Sequence, residues 1–267
     1  MLNNLATDVR EMLHEQLEYR ELLYRMAARD LIIRYKQTIM GFGWAIFMPL
    51  INTVVFSVVF TQVAPIATPV PYPLFAYTGL WAWNFFAASV RFSLNSLTSN
   101  ASLVGKVYFP REIFPFSNIA VCLVDFAVAT VPLVVLMLWY GVAPGKSIVL
   151  LPLVLLIHVT FTAAMGLVLA IANLFYRDVK YLFELVIAVW MFSSSVIYPL
   201  DRLTGKLALI AFLNPTTVII DGYRAALFNL PIHSMTSLVS TAVLSFVFLL
   251  GAWLYFHRSE YQFAEAL

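Results

Sequence analysis

Polar side chains set into apolar stretches are where this chain's chemistry must begin, because a polar group taken out of water is retained only where it has something to bind. Asn84, Arg91 and Asn95 fall at steps of seven and four around Ala88. That spacing puts them on one helix face, which must look toward protein or water. Tyr77, Trp81 and Phe85 form an adjoining aromatic stripe at steps of four. Such a stripe is packing in the first instance, and a row of rings also suits the stacking of sugars. Asp125 lies about eleven residues into its apolar stretch, roughly 16 Å deep, and His158 sits within about 7 Å of the same level. Tilt would pair the two; a protonated Asp125 bonded to a neighbouring helix would serve equally. The four histidines, His14, His158, His233 and His257, fall on different elements without ligand spacing, so no metal cluster is expected. No phosphate-binding loop, dinucleotide fingerprint or nucleophile elbow occurs, so neither a catalytic residue nor a cofactor is expected in this chain. Uphill movement of anything would have to draw on a partner or an ion gradient.

The elements that hold these residues are long and uncharged. Of 267 residues, 62% are hydrophobic and 11% charged, with a mean hydropathy of +0.87; a soluble domain is about 45–50% apolar and 25% charged. A bilayer core about 30 Å thick takes about 20 apolar residues as helix. Six stretches qualify: Gly41 to Val63, Pro73 to Phe92, Ile113 to Tyr140, Ser147 to Phe175, Tyr181 to Pro199 and Ser234 to Phe256. They are continuously apolar, not alternating, which selects helices over barrel strands. The expected fold class is all-α integral membrane. Residues 1–40 form a cytoplasmic amphipathic interface segment, and residues 41–267 form a six-span transmembrane domain. Of the 16 basic residues, only Lys146, Arg202, Lys206 and Arg224 fall in connections on one side, which places both termini in the cytoplasm. No signal-peptide core precedes Gly41, and no cleavage is expected. Cys122, alone inside the third stretch, excludes an intramolecular disulfide and reads as a small buried apolar group.

Three connections carry more than a turn requires. From Val9 to Gln37 the spacing predicts an amphipathic helix broken in two; its later half, Tyr19 to Gln37, holds most of the basic residues and belongs in the interface. A solvated lead-in helix is the plainer alternative. From Asn100 to Pro115, Leu103, Val104, Val107 and Tyr108 share an apolar face that Pro110 ends, either a docking knob for another protein or a self-capped turn. From Tyr198 to His233 the chain is semi-apolar and long enough for two short helices. It reads as a re-entrant hairpin near the outer face, with a peripheral external loop as the alternative.

Five strings in order, RDLIIRYKQTIMGFGWAIFMPL (Arg29 to Leu50), PYPLFAYTGLWAWNFF (Pro71 to Phe86), VGKVYFPREIFP (Val104 to Pro115), NLFYRDVKY (Asn173 to Tyr181) and VIYPL followed by LNPTTVIIDGYRAAL (Leu213 to Leu227), closely resemble the permease subunits of bacterial polysaccharide-exporting ABC transporters. The intact RYKQT, YFPR and YRD look more like the O-antigen and teichoic-acid branch than the capsule branch. Nothing carries over to the stretch before about Tyr19.

The resemblance implies a six-span homodimer in the bacterial inner membrane, paired with two ABC ATPase subunits that hold ATP and Mg. It implies export of a lipid-linked polysaccharide on undecaprenyl pyrophosphate, O-antigen foremost, with teichoic acid or capsule as alternatives and no nucleic acid involved. By the same analogy Arg29, Arg34 and Lys36 meet the pyrophosphate, and Val104, Val107, Tyr108 and Phe109 grip the ATPase. Tyr77, Trp81, Asn84, Phe85 and Arg91 wall the glycan channel, and Tyr198, Asp201, Asn214, Asp221 and Arg224 form a periplasmic gate. A pyrophosphate does want fixed cations at the interface. A membrane-embedded transferase acting on a polyprenyl phosphate would need clustered carboxylates, and Asp30, Asp178 and Glu184 are too few and scattered. A channel or scaffold that uses no ATP is harder to separate by residues alone.

Overall fold

A computed structural model describes residues 2–36, 38–104, 109–200 and 205–266, and side chains throughout these except at 2–6, 207–208 and 264–266. The described residues hold helices and no strand. Helices α1 (Leu2–Glu18) and α2 (Arg20–Tyr35) meet at a bend on Tyr19. The backbone ladder continues through it, Tyr19 N–H to the Glu15 carbonyl (2.8 Å) and Leu23 N–H to the Tyr19 carbonyl (3.0 Å). Helix α3 (Gly43–Val58) runs on through a π-helical turn at Val59–Val63. Helix α4 (Tyr72–Ser99) has a proline in its first turn, where a missing N–H is harmless. After the short α5 (Ala101–Val104) come α6 (Ile113–Val128) and α7 (Thr130–Trp139), one run interrupted at Ala129. Pro132 explains the interruption, since its ring crowds the carbonyl four residues back and supplies no N–H. A 3₁₀ turn at Lys146–Leu150 opens α8 (Leu151–Phe175), followed by α9 (Val179–Ser193), α10 (Gly205–Leu213), α11 (Pro215–Phe228) and α12 (Met235–Ala266).

Among the described residues, four helical runs are long and apolar enough to cross a membrane: Gly43–Val63, Ile113–Trp139, Lys146–Phe175 and Met235–Phe263. They answer to the first, third, fourth and sixth expected stretches. The second stretch is helix over all 28 residues of α4 but is more polar, because α4 is the central helix, touching α3, α6, α7, α8, α9 and α11. Its Thr78, Ser89, Ser93 and Ser96 are buried against protein. The fifth stretch is helical only to Ser193. At 15 residues α9 is about 22 Å long. The helix stops where the backbone finds another partner, for Arg224 takes the carbonyls of Ser195 and Val196.

Between α9 and α12, α10 packs on α11, and α11 is buried along almost its whole length against α4, α8 and α12. Asn214 caps α11, its Oδ1 accepting from Thr216 N–H (3.2 Å), and Asn229 ends the helix in the left-handed region at φ 53°. By contrast α3 shows Trp44, Phe47, Met48, Ile51, Val54, Val55 and Val58 on its surface. That apolar face suits lipid or another membrane helix, not water.

Candidate functional site

A cavity of about 480 Å³ opens between α2, α3, α4 and α6. The 3.6-residue period of α4 delivers Trp81, Asn84, Phe85, Ala88, Arg91 and Phe92 to one wall. Helix α3 adds Trp44, Met48 and Asn52; α6 adds Cys122, Asp125 and Phe126; the end of α2 adds Arg34 and Tyr35. Four of the five residues expected to wall a glycan path, Trp81, Asn84, Phe85 and Arg91, therefore meet in one place.

The fifth does not. Tyr77 is fully buried and donates its hydroxyl to the Ala129 carbonyl (2.8 Å), tying α4 to the α6–α7 junction. Trp81 and Phe85 line the cavity from within the buried core. Trp81 stacks on Phe126 with centroids 3.9 Å apart and donates its indole N–H to the Phe126 carbonyl (3.0 Å), while Phe85 lies 5.1 Å from the same ring. The stripe is packing first. Asn52 and Asn84 make no hydrogen bond among the described residues, so their amides are available to an occupant. Arg91 stands at the rim in a two-pronged bond to Glu184 of α9, 2.6 and 2.8 Å. Asn95, on the same face by spacing, turns back and donates to the Arg91 carbonyl (3.0 Å).

The carboxylate of Asp125 is met by Arg34, not by His158. Arg34 Nη1 and the Tyr35 hydroxyl both donate to it, and the Arg34 guanidinium lies 4.0 Å over the Phe92 ring. Burial, and then the bond to Asp125, push the Tyr35 hydroxyl above its usual pKa, so it remains the donor. His158 instead pairs through Nδ1 with the Tyr223 hydroxyl (3.2 Å), in the buried aromatic cluster of Phe85, Phe126 and Tyr223. Neither pairing was visible in spacing, since its members lie in helices far apart in the chain.

The three cations expected at a pyrophosphate divide between two faces of α2. Arg29 and Lys36 line an open groove with Tyr24, Arg25, Ile32 and Ile33. Arg29 also bonds to Asp30 (2.9 Å) and to Asn100 Oδ1 (3.1 Å). Arg34 is on the other side, within the cavity, its charge already opposed.

At the expected knob, Val104 and Phe109 are buried in this chain's own core with Ile113 and Phe114. They anchor the connection there. Val107 and Tyr108 lie outside the described residues.

Four of the five expected gate residues, Tyr198, Asn214, Asp221 and Arg224, are bonded within the protein. Arg224 is buried, donates to the carbonyls of Ser195 (2.6 Å), Val196 (2.8 Å) and Phe75 (3.2 Å), and sits 3.5 Å over the Phe75 ring. Gly79 permits that approach, since a Cβ there would strike the Val196 carbonyl. Asn214 accepts from Trp190 Nε1 (2.9 Å) besides capping α11. Asp221 pairs with His233 (3.1 Å), and Tyr198 donates to the Phe192 carbonyl (3.0 Å). Asp201 lies outside the described residues. One group that spacing did not expose is Glu15, Glu112 and His257, whose polar atoms converge from α1, the residue before α6, and α12.

The profile of the ABC-2 type transporter family matches residues 21–228. An O-antigen export system permease protein, RfbA, of Myxococcus xanthus is 30% identical over 258 residues, 96% of this chain and 99% of that protein. Two proteins of the same name from Klebsiella pneumoniae are 31% and 29% identical, each over 92% of this chain and 95% of their own length.

Proposed function

Because the chain belongs to the ABC-2 type transporter family, and is thus a multi-pass membrane protein working with an ABC ATPase, we propose that it is the permease for export of O-antigen. The reading rests on one observation: the likeness to permeases named for O-antigen export runs over more than nine-tenths of the chain. The cargo is the glycan on its undecaprenyl pyrophosphate carrier. The permease is a homodimer in the inner membrane, each copy paired with an ATPase subunit that binds ATP and Mg, and it performs no catalysis itself.

Each copy crosses the membrane six times with both termini in the cytoplasm, α4 and the shorter α9 supplying the second and fifth crossings. Helices α1 and α2, with residues up to 40, lie at the cytoplasmic interface. Helices α10 and α11 form a re-entrant hairpin from the periplasmic side; the burial of α11 against three other helices supports this, because non-spanning backbone at that depth must be covered by protein. The segment 105–108 is the part of the knob that engages the ATPase.

In this reading the cavity beside α4 is part of the glycan path. Its unpaired amides at Asn52 and Asn84 and its aromatic lining give a sugar chain sparse hydrogen bonds and smooth walls, so that it binds and still slides. The pyrophosphate meets Arg29 and Lys36 on the open side of α2. Arg34 holds α2 to α6 through Asp125 and controls access between the groove and the cavity. Teichoic-acid and capsule glycans remain as alternative cargoes of the same machine.

Deletion of the gene tests the assignment. Loss of surface O-antigen, with undecaprenyl-linked glycan accumulating inside and restored export on complementation, is the expected result. Unchanged surface glycan, or an accumulating lipid that carries another polymer, overturns the cargo.

A further inference from the structure

Apart from the cavity and the α2 groove, a pocket of about 300 Å³ opens where the end of α4, the start of α5, the end of α8 and the start of α9 meet. It lies at the end of the membrane-crossing run Lys146–Phe175, the level at which lipid headgroups sit. Its lining holds two cations, Arg177 and Lys180, with the polar side chains of Asn95, Thr98 and Asn173, and no carboxylate. The Arg177 side chain makes no hydrogen bond or ion pair among the described residues, and that of Lys180 meets only the Tyr181 ring, 4.9 Å from its centroid.

Asn173 sets a second requirement. It is 3% exposed, and its Nδ2 donates to the Leu94 carbonyl (3.0 Å), which ties α8 to α4 and keeps the amide from turning over. Its Oδ1 is thereby left buried without a hydrogen-bond partner among the described residues. An acceptor taken out of water and left unmet is costly. Both cations of the pocket could donate, yet neither bonds to it.

The two requirements together select an occupant. Unopposed cations at headgroup level suit a phosphate. The Asn173 oxygen wants a donor, which an ionised phosphodiester lacks. An anionic headgroup that also carries a hydroxyl supplies both. The volume, at the low end of the ~300–1,000 Å³ of ligand pockets, suits such a headgroup and not a glycan chain. Farther along α9, Leu182, Leu185 and Val189 are exposed on one face, an apolar strip for acyl chains that favours a lipid over a soluble phosphate.

We propose that this pocket binds the headgroup of a hydroxyl-bearing anionic phospholipid, of which phosphatidylglycerol is the type, its phosphate on Arg177 and Lys180 and its hydroxyl donating to Asn173 Oδ1. The bound lipid joins the ends of α4, α8 and α9 beside α5, which leads into the 105–108 segment. The site concerns the surrounding membrane and not the cargo, so its failure would leave the export reading untouched.

The test uses the permease with its ATPase in phosphatidylcholine nanodiscs that carry a minor fraction of either phosphatidylglycerol or phosphatidylmethanol. The second lipid has the same phosphodiester charge and no hydroxyl. Lipid retained on release into mild detergent is counted by native mass spectrometry. Phosphatidylglycerol should be held at about one per chain, and phosphatidylmethanol about fivefold to tenfold less tightly, the worth of one hydrogen bond. The double variant Arg177→Gln, Lys180→Gln, at two exposed positions where folding is not at stake, should lose at least about tenfold in retention. Equal retention of the two lipids would reduce the site to general attraction between surface cations and anionic lipid. That result, unchanged retention in the double variant, displacement of the lipid by millimolar glycerol 3-phosphate, or no phosphatidylglycerol held by the wild type overturns the proposal.

Discussion

The Arg34–Asp125 pair gives a prediction whose size follows from its surroundings. The two side chains are 19% and 22% exposed. Removing one partner of a fully buried ion pair costs about 3–5 kcal/mol, whereas an exposed pair contributes about 0–1. At one-fifth exposure, with Tyr35 donating to the same carboxylate, loss of either partner should cost about 2–3 kcal/mol. For a chain of this size that is a fall in thermal midpoint of about 5–10 °C. Arg34→Met and Asp125→Ala should each show it. Arg34→Leu combined with Asp125→Leu should recover most of the loss, because a hydrophobic pair leaves no buried charge uncompensated. Hydrogen exchange supplies a second readout: α2 amides should lose protection in either single variant, since α2 packs along α6 and the pair joins their ends. If Arg34 were instead a cation reserved for the pyrophosphate, Asp125→Asn would free it, leaving the midpoint and the α2 protection unchanged while raising substrate-stimulated ATP hydrolysis. That result would refute the latch.

Other outcomes follow from particular contacts. Gly79→Ala should destabilise by about 1–3 kcal/mol through overpacking against Val196, while Gly251→Ala, where a new Cβ meets nothing within 4 Å, should be neutral or stabilising by up to about 1 kcal/mol in a thermal melt. Asn84→Leu should leave the midpoint unchanged and slow export, as its amide has no partner among the described residues; normal export would remove Asn84 from the path. Val107→Asp or Tyr108→Asp should stop the ATPase from driving export while the permease still folds, read by co-purification and glycan transport. Cysteines at Ser147 and Gly205 should label only from outside the cell, and labelling from the cytoplasm would reverse the orientation.

How much could be read from the chain depends on the range of the force involved. Three of the six apolar stretches match their helical runs to within two residues at each end, Gly43–Val63, Ile113–Trp139 and Lys146–Phe175, because charge and proline at the flanks are local signals. The bend at Tyr19 falls within the segment expected to break. Asn84 and Arg91 share a wall because helical period is a property of neighbours. The fifth stretch misleads for the opposite reason. Its apolar residues continue to Pro199, but the helix ends at Ser193 because Arg224, near the far end of α11, bonds to the carbonyls beyond it. No window around Ser193 contains that arginine.

The same distinction governs what charges do in this fold. A charged residue in an apolar stretch is a functional candidate by default because burial is costly, yet the cost is met equally by a ligand or by the protein's own backbone and side chains. Here Arg224 is answered by three carbonyls, Arg91 by Glu184, and Asp125 by Arg34 and Tyr35. Each joins helices that are not neighbours in the chain. In a membrane, where apolar faces gain little from pairing because lipid is as greasy as leucine, such polar fasteners fix which helices touch. The groups left over are therefore the better guides to function: the amides of Asn52 and Asn84 in the cavity and Lys36 on the open side of α2. A residue's rarity in its stretch says only that it must bind something, and its partner in three dimensions decides whether that something is a neighbour or a ligand.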